Sequence, residues 1–385
     1  MRKKLRLAIP LSLLVILLPI TYFQLRTNTT SPSTAYPTTQ ARPRADKTRV
    51  LIVAYGRSGS SFLGGIFNVH PDVFYIYEPL NPLTKIKSSI SSPDRFLNQA
   101  AYVIQSIVTC SFSEGRYLEN LSKFTHIRAS SRPLVSTPFC RTTRENATNF
   151  AAFSHWNVCA RRISAHALNA VCRKYSHVIT KILLERLHPT GLSWALQVSA
   201  ASSSFPVHIL YLVRDPRAMF FSRYKLGWLV KRTRRAHSIN SSEVEDAVEK
   251  HCAHIERNLA ELVREQDRME LVRYEDLATE PEAVAEHLFE VLRISPHEEV
   301  QRWIRDKTRG PFHGSAFSLS RPGKVVINAW RKQIPIRLLI IVEEKCKRVM
   351  RHLGYVPING STTLLIDLDK PLFLEQMPDL KMSLG

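Results

Sequence analysis

Two stretches of this chain carry residue types that could grip phosphate. The first is VLIVAYGRSGSSFL, residues 50–63. An apolar, β-branched run from Val50 to Tyr55 leads into Gly56-Arg57-Ser58-Gly59-Ser60-Ser61, where glycine permits a tight turn. Backbone N–H groups at such a turn, and at the start of a following helix, point at an anion. Ser60 and Ser61 add hydroxyl donors, and Arg57 adds a fixed cation. Taken alone, the segment could also be an ordinary strand–helix connection. It departs from the G-x-x-x-x-G-K-[ST] spacing, because Ser60 follows Gly59 and no lysine comes next. A magnesium-dependent triphosphate site is therefore disfavoured, and no metal is expected.

The second stretch is VHILYLVRDPRAMFFSR, residues 207–223. A buried strand, Val207 to Val213, delivers Arg214 at its C-terminal end, where ligands bind in open α/β sheets. Asp215-Pro216 then starts a helix, with proline in a favourable first-turn position. Ser222 stands eight residues after Arg214, about two helical turns on, and so returns to the same side. Together they could hold a second phosphate; a carboxylate partner for Arg214 would be the plainer reading.

The two segments together resemble the nucleotide-binding elements of carbohydrate sulfotransferases. The resemblance is to the membrane-bound family that sulfates the 6-hydroxyl of galactose, N-acetylgalactosamine or N-acetylglucosamine. It extends through Tyr77-Glu78-Pro79, through Val272-Arg273-Tyr274-Glu275-Asp276-Leu277, and through Ala329-Trp330-Arg331 to Gly354-Tyr355. Between residues 111 and 175 it is thin. It implies that the co-substrate is 3′-phosphoadenosine 5′-phosphosulfate. Arg57, Ser58, Gly59, Ser60, Ser61 and Phe62 would hold its 5′-phosphosulfate, and Arg214 and Ser222 its 3′-phosphate. Glu78 would be the catalytic base. Lys181, at the end of a buried strand, would meet the transferring sulfonate, unless it only snorkels from the sheet. Arg331, beside Trp330, would help close the nucleotide site. The family also implies a Golgi membrane protein of single-pass type II topology with a luminal catalytic domain, a glycan acceptor, and no nucleic acid; a homo-oligomer is left open.

These side chains need a scaffold that brings strand ends together. The fold class read from the chain is α/β: a mainly parallel central sheet flanked by helices, behind an N-terminal transmembrane helix; the resemblance implies that it is the P-loop-like sulfotransferase fold. Val50–Tyr55, Phe74–Tyr77, His177–Leu184, Val207–Val213 and Glu270–Arg273 read as strands. Helical periodicity is expected over Ser60–Val69, Pro93–Cys110, Ser241–Gln266, 281–293, 296–306 and 336–352. The alternation implies βαβ units. Residues 111–175 read as a less regular insertion shaping an acceptor cleft.

The chain has 385 residues and a formal net charge of +21, which points to polyanionic partners. Residues 1–6 read as a cytosolic tail carrying Arg2, Lys3, Lys4 and Arg6. Leu7 to Phe23 is an uncharged apolar run, roughly 25 Å long as a helix and near the lower limit for a membrane span. The basic cluster should stay cytosolic; the competing reading is a cleaved signal peptide. Residues 24–49 form a Thr/Ser/Pro-rich stem, 50–356 the catalytic domain and 357–385 a tail.

Asn28, Asn120, Asn146, Asn240 and Asn359 sit in N-x-S/T sequons. Six cysteines, Cys110, Cys140, Cys159, Cys172, Cys252 and Cys346, suggest disulfides in an oxidising compartment, with fifteen full pairings open. Buried thiols are the alternative. Two other classes stay in view: an ATP-dependent phosphotransferase of similar fold, and a non-catalytic glycan-binding membrane glycoprotein that uses the basic run Lys231, Arg232, Arg234 and Arg235.

Overall fold

The computed structural model describes residues 47–84, 92–140, 159, 162–187, 190–201, 206–229, 242–309 and 323–384. The expected anchor at 7–23 and nearly all of the stem lie outside these residues. So do Asn28, Asn146, Asn240 and the basic run at 231–235. Among the described residues no helix is long and apolar enough to cross a membrane.

Five strands form the scaffold: β1 (Arg49–Ala54), β2 (Val73–Tyr77), β3 (His177–Leu183), β4 (Val207–Val213) and β5 (Met269–Arg273). They pair in parallel in the order β2-β3-β1-β4-β5. Every residue of β1 is buried, as a central strand covered on both faces must be. Its side chains alternate between two cores. Leu51 and Val53 join the core beneath helices Pro93–Thr109, Gly191–Ala200 and Ser242–Arg264. Val50, Ile52 and Ala54 face helices Ser60–Asn68, Pro281–Val291 and Glu298–Arg309.

The chain leaves β1 towards β2 on one side and leaves β4 towards β5 on the other. The crevice at the C-terminal ends of β1 and β4 is thus the switch point at which open α/β sheets receive ligands.

Three disulfides select one of the fifteen pairings: Cys110–Cys172, Cys140–Cys159 and Cys252–Cys346. The last ties the helix Ser242–Arg264 to the end of the helix Ile336–Lys345. The single helix expected over 336–352 is two, Ile336–Lys345 and Lys347–His352, because Cys346 between them leaves helical geometry at φ −105°. The tail folds back on the body. Its Phe373 bridges to Tyr355, and Thr362–Ile366 is a short helix.

Candidate active site

The turn after β1 is built around left-handed backbone. Arg57 has φ 76° and Gly59 has φ 90°. A non-glycine residue in that region costs about 1–2 kcal/mol, so the strained Arg57 must be held by its neighbours. The polypeptide supplies two contacts to Arg57 itself and two to the preceding Gly56. Arg57 Nε donates to Ser222 Oγ at 2.9 Å. Its carbonyl accepts from Arg214 Nη1 at 2.9 Å. The preceding Gly56 carbonyl accepts from Arg223 Nη2 at 3.2 Å, and the Gly56 amide donates to Glu185 Oε1 at 2.8 Å. Glu185 and Arg223 also form an ion pair.

Gly59 then caps the helix Ser60–Asn68, with no side chain bonded to the exposed amides and no acidic residue in the first turn. Such an open helix start favours an anion.

Tyr274 couples the turn to β4. A Cβ placed on Gly59 would lie 2.2 Å from Tyr274 Cδ2, and the Arg214 guanidinium lies 4.6 Å from the centre of the same ring. Among the described residues Arg214 Nε is buried without an acceptor. A buried unpaired donor costs about 1–3 kcal/mol, a cost that a bound anionic oxygen would remove.

Glu78 follows β2 with φ 40° and is 7% exposed. Its Oε1 accepts from Lys181 Nζ at 2.7 Å, and its Oε2 from Arg186 Nη2 at 2.8 Å. Burial pushes the carboxyl up. The charges and hydrogen bonds of Lys181 and Arg186 outweigh that and hold it down at about 2. Lys181 Nζ also lies 3.4 Å from Ser61 Oγ and 4.0 Å from the centre of the Tyr77 ring. It therefore bridges the carboxylate and the phosphate-type turn.

The remaining expected residues fall in different surroundings. Ser58 and Ser60 are buried in the turn, and Ser58 Oγ faces Met219. Phe62 is fully buried and stacks on Trp303 with ring centres 5.5 Å apart, so its side chain belongs to the core. Arg331 is buried and binds the carbonyls of Leu364, Asp367 and Lys370, which turns it towards the tail.

Sequence reasoning passed over Arg186, Glu185, Arg223 and Tyr274 as site residues. A signal existed for the first two: both lie just past β3, at the same sheet edge as Arg57 and Arg214.

Behind Arg214, Asp215 caps the next helix, Pro216–Lys225. Its amide donates to Glu275 Oε1 at 3.2 Å, and Tyr355 Oη donates to Glu275 Oε2 at 2.7 Å. Burial and the Asp215 carboxylate push Glu275 up to about 7, against Arg214 and these hydrogen bonds. Between the ordinary 4.5 and that value the folded chain holds a proton that the unfolded chain has lost. Stability therefore falls as pH rises through this window and levels off above it. Glu275→Gln should flatten the slope of Tm between pH 4.5 and about 7; identical slopes in both proteins would remove Glu275 as its source.

A family model described as "Sulfotransferase domain" matches residues 47–312. Human carbohydrate sulfotransferase 5 is 31% identical over 361 residues, covering 87% of this chain and 84% of that protein. Human carbohydrate sulfotransferase 6 is 32% identical over 352 residues, covering 84% and 86%. Mouse carbohydrate sulfotransferase 1 is 29% identical, covering 83% and 82%. Among solved structures, the sulfotransferase domain from the Synechococcus PCC 7002 olefin synthase aligns at TM-score 0.41 and 16% identity, over 80% of this chain and 98% of that one. This chain belongs to the sulfotransferase family, among the carbohydrate sulfotransferases.

Proposed function

We propose that this protein transfers the sulfuryl group of 3′-phosphoadenosine 5′-phosphosulfate to a sugar 6-hydroxyl in a glycan. The sugar would be galactose, N-acetylgalactosamine or N-acetylglucosamine. The carrying observation is the clasp of the Arg57 turn by Arg214 and Ser222, with the Glu78–Lys181 pair reaching the same turn through Ser61. The orphaned Arg214 Nε and the open helix start suit a nucleotide bearing two separate anionic groups.

In this reading Arg57, the amides of Gly59, Ser60 and Ser61 and the hydroxyls of Ser60 and Ser61 hold the 5′-phosphosulfate, and Ser58 shapes the turn, its amide donating to the Tyr55 carbonyl at 3.2 Å. Arg214 and Ser222 hold the 3′-phosphate. Phe62 acts by packing beneath the turn, and Arg331 by holding the tail. Glu78 takes the proton of the acceptor hydroxyl as its oxygen bonds to sulfur. The bond from sulfur to the bridging phosphate oxygen breaks, and Arg57 and the turn amides stabilise the charge left on that oxygen.

Lys181 connects the two halves of the reaction. Paired with Glu78, it keeps the carboxylate a weak base. When its ammonium swings towards the sulfonate, Glu78 loses its nearest positive charge and gains proton affinity. The base would thus strengthen only with the donor in place.

Residues 7–23 would anchor the protein as a type II Golgi membrane protein, with residues 24–49 as stem and 50–356 as the luminal catalytic domain. The three disulfides and the sequons support that compartment.

The test is transfer of labelled sulfate by the purified chain to keratan-, chondroitin- and N-acetylglucosamine-terminated acceptors, followed by linkage analysis. Sulfate on a 6-hydroxyl is the expected result. Labelled phosphate transferred from ATP instead, or glycan binding without transfer, would replace the proposal with one of its rivals.

A further inference from the structure

Three buried arginines grip the chain beyond residue 352. Arg217 Nη1 donates to the Val356 carbonyl at 2.8 Å, and its Nη2 to Leu372 at 3.4 Å. Arg273 donates to the Leu353 carbonyl at 3.2 Å and the Leu374 carbonyl at 2.8 Å, with Phe373 against its guanidinium at 4.8 Å. Arg331 holds the carbonyls of Leu364, Asp367 and Lys370. Residues 354–356 and 372–374 also bond to each other: the Val356 amide to Leu372 at 2.9 Å, and the Leu374 amide to Gly354 at 2.8 Å. Burying three guanidiniums is costly unless each is fully paired. Carboxylates supply part of that pairing, Asp215 and Glu343 for Arg217 and Asp276 for Arg273, and carbonyls of a segment beyond the family-model match, which ends at residue 312, supply the rest for all three.

That segment reaches the crevice through one side chain. Tyr355, 4% exposed, donates to Glu275 Oε2, and Glu275 Oε1 accepts the Asp215 amide. This amide belongs to the peptide that joins Arg214 to Asp215. Its orientation sets the rotation of the Arg214 backbone, and hence the direction of the guanidinium. Arg217 locks the other side of the same junction by pairing with the Asp215 carboxylate at 2.8 Å while it holds the tail.

We infer that Tyr355 is a positioning residue of the donor site: through Glu275 it orients the Arg214–Asp215 peptide, and the folded-back tail thereby sets recognition of the nucleotide's 3′-phosphate. The inference rests on the donor reading given above.

The test compares adenosine 3′,5′-bisphosphate with adenosine 5′-monophosphate, titrated into the full chain and its Tyr355→Phe variant. The 3′-phosphate advantage is the ratio of the two Kd values. In the variant this ratio should shrink roughly tenfold, about one hydrogen bond's worth, with monophosphate affinity nearly unchanged; Tm should fall modestly, because the buried Glu275 loses one donor. A general loss of structure would weaken both nucleotides equally, and that result overturns the inference. So does an unchanged ratio in a variant that still unfolds cooperatively. Failure of the underlying donor reading looks different: the wild-type chain itself would then bind the two nucleotides alike.

Discussion

Glu78→Gln should lower kcat by a factor of roughly 10² to 10⁴, the range that general-base catalysis contributes. The amide keeps the shape of the side chain but cannot take the acceptor's proton. Binding of adenosine 3′,5′-bisphosphate should stay within a few-fold of wild type, because Glu78 contacts the phosphate-type turn only through Lys181. Kinetics must be expressed per folded molecule. Lys181 is 1% exposed and would lose its counter-charge, and breaking a buried pair costs about 3–5 kcal/mol.

The acid limb offers a separate readout. Glu78 sits at about 2, below its ordinary 4.5. Its stabilising contribution is therefore complete above about 4.5 and is lost as pH falls towards 2. That portion of the acid-unfolding curve should be missing from Glu78→Gln. Turnover at the wild-type rate would exclude Glu78 as the base; an unchanged acid limb would show that its ion pair does not govern acid stability.

Gly59→Ala should abolish measurable transfer and lower stability by several kcal/mol. Two costs combine. Alanine at φ 90° pays the left-handed penalty of about 1–2 kcal/mol. Its Cβ would also fall 2.2 Å from the Tyr274 ring, so the ring or the turn must move. Displacing the ring disturbs Arg214, which packs on it. Displacing the turn disturbs Arg57 and the amides at the helix start. Gly59→Ala combined with Tyr274→Ala removes the steric part and should recover some thermal stability without restoring activity, since the Arg214 platform is gone. The measurements are sulfate transfer and Tm for the single and double variants. A fully active Gly59→Ala would mean that the turn tolerates movement and does not hold the phosphosulfate by shape.

Local pattern carried much of the architecture. Four largely apolar runs and the short segment Glu270–Arg273 marked the five strands, and Val207–Val213 has the same ends in the chain and in the fold. Gly56 and Gly59 announced a turn, and Arg214 was legible as a strand-end residue, because strand period and turn chemistry depend only on near neighbours. Pairing of the six cysteines was not legible, since fifteen pairings satisfy the same local sequence. Nor was the break at Cys346, which joins a disulfide from a helix 94 residues away in the chain.

What the sequence determined alone was the alternation of elements and the residue types at the strand ends. Only tertiary structure decided which of those side chains meet. Lys181 pairs with Glu78 across 103 residues, Arg57 with Ser222 across 165, and Tyr355 with Glu275 across 80. The same convergence sends Phe62 into the core and Arg331 to the tail. The physical reason is that periodicity encodes which face of an element is buried, whereas the partner on that face depends on strand order and on the folded-back tail, which no local window contains.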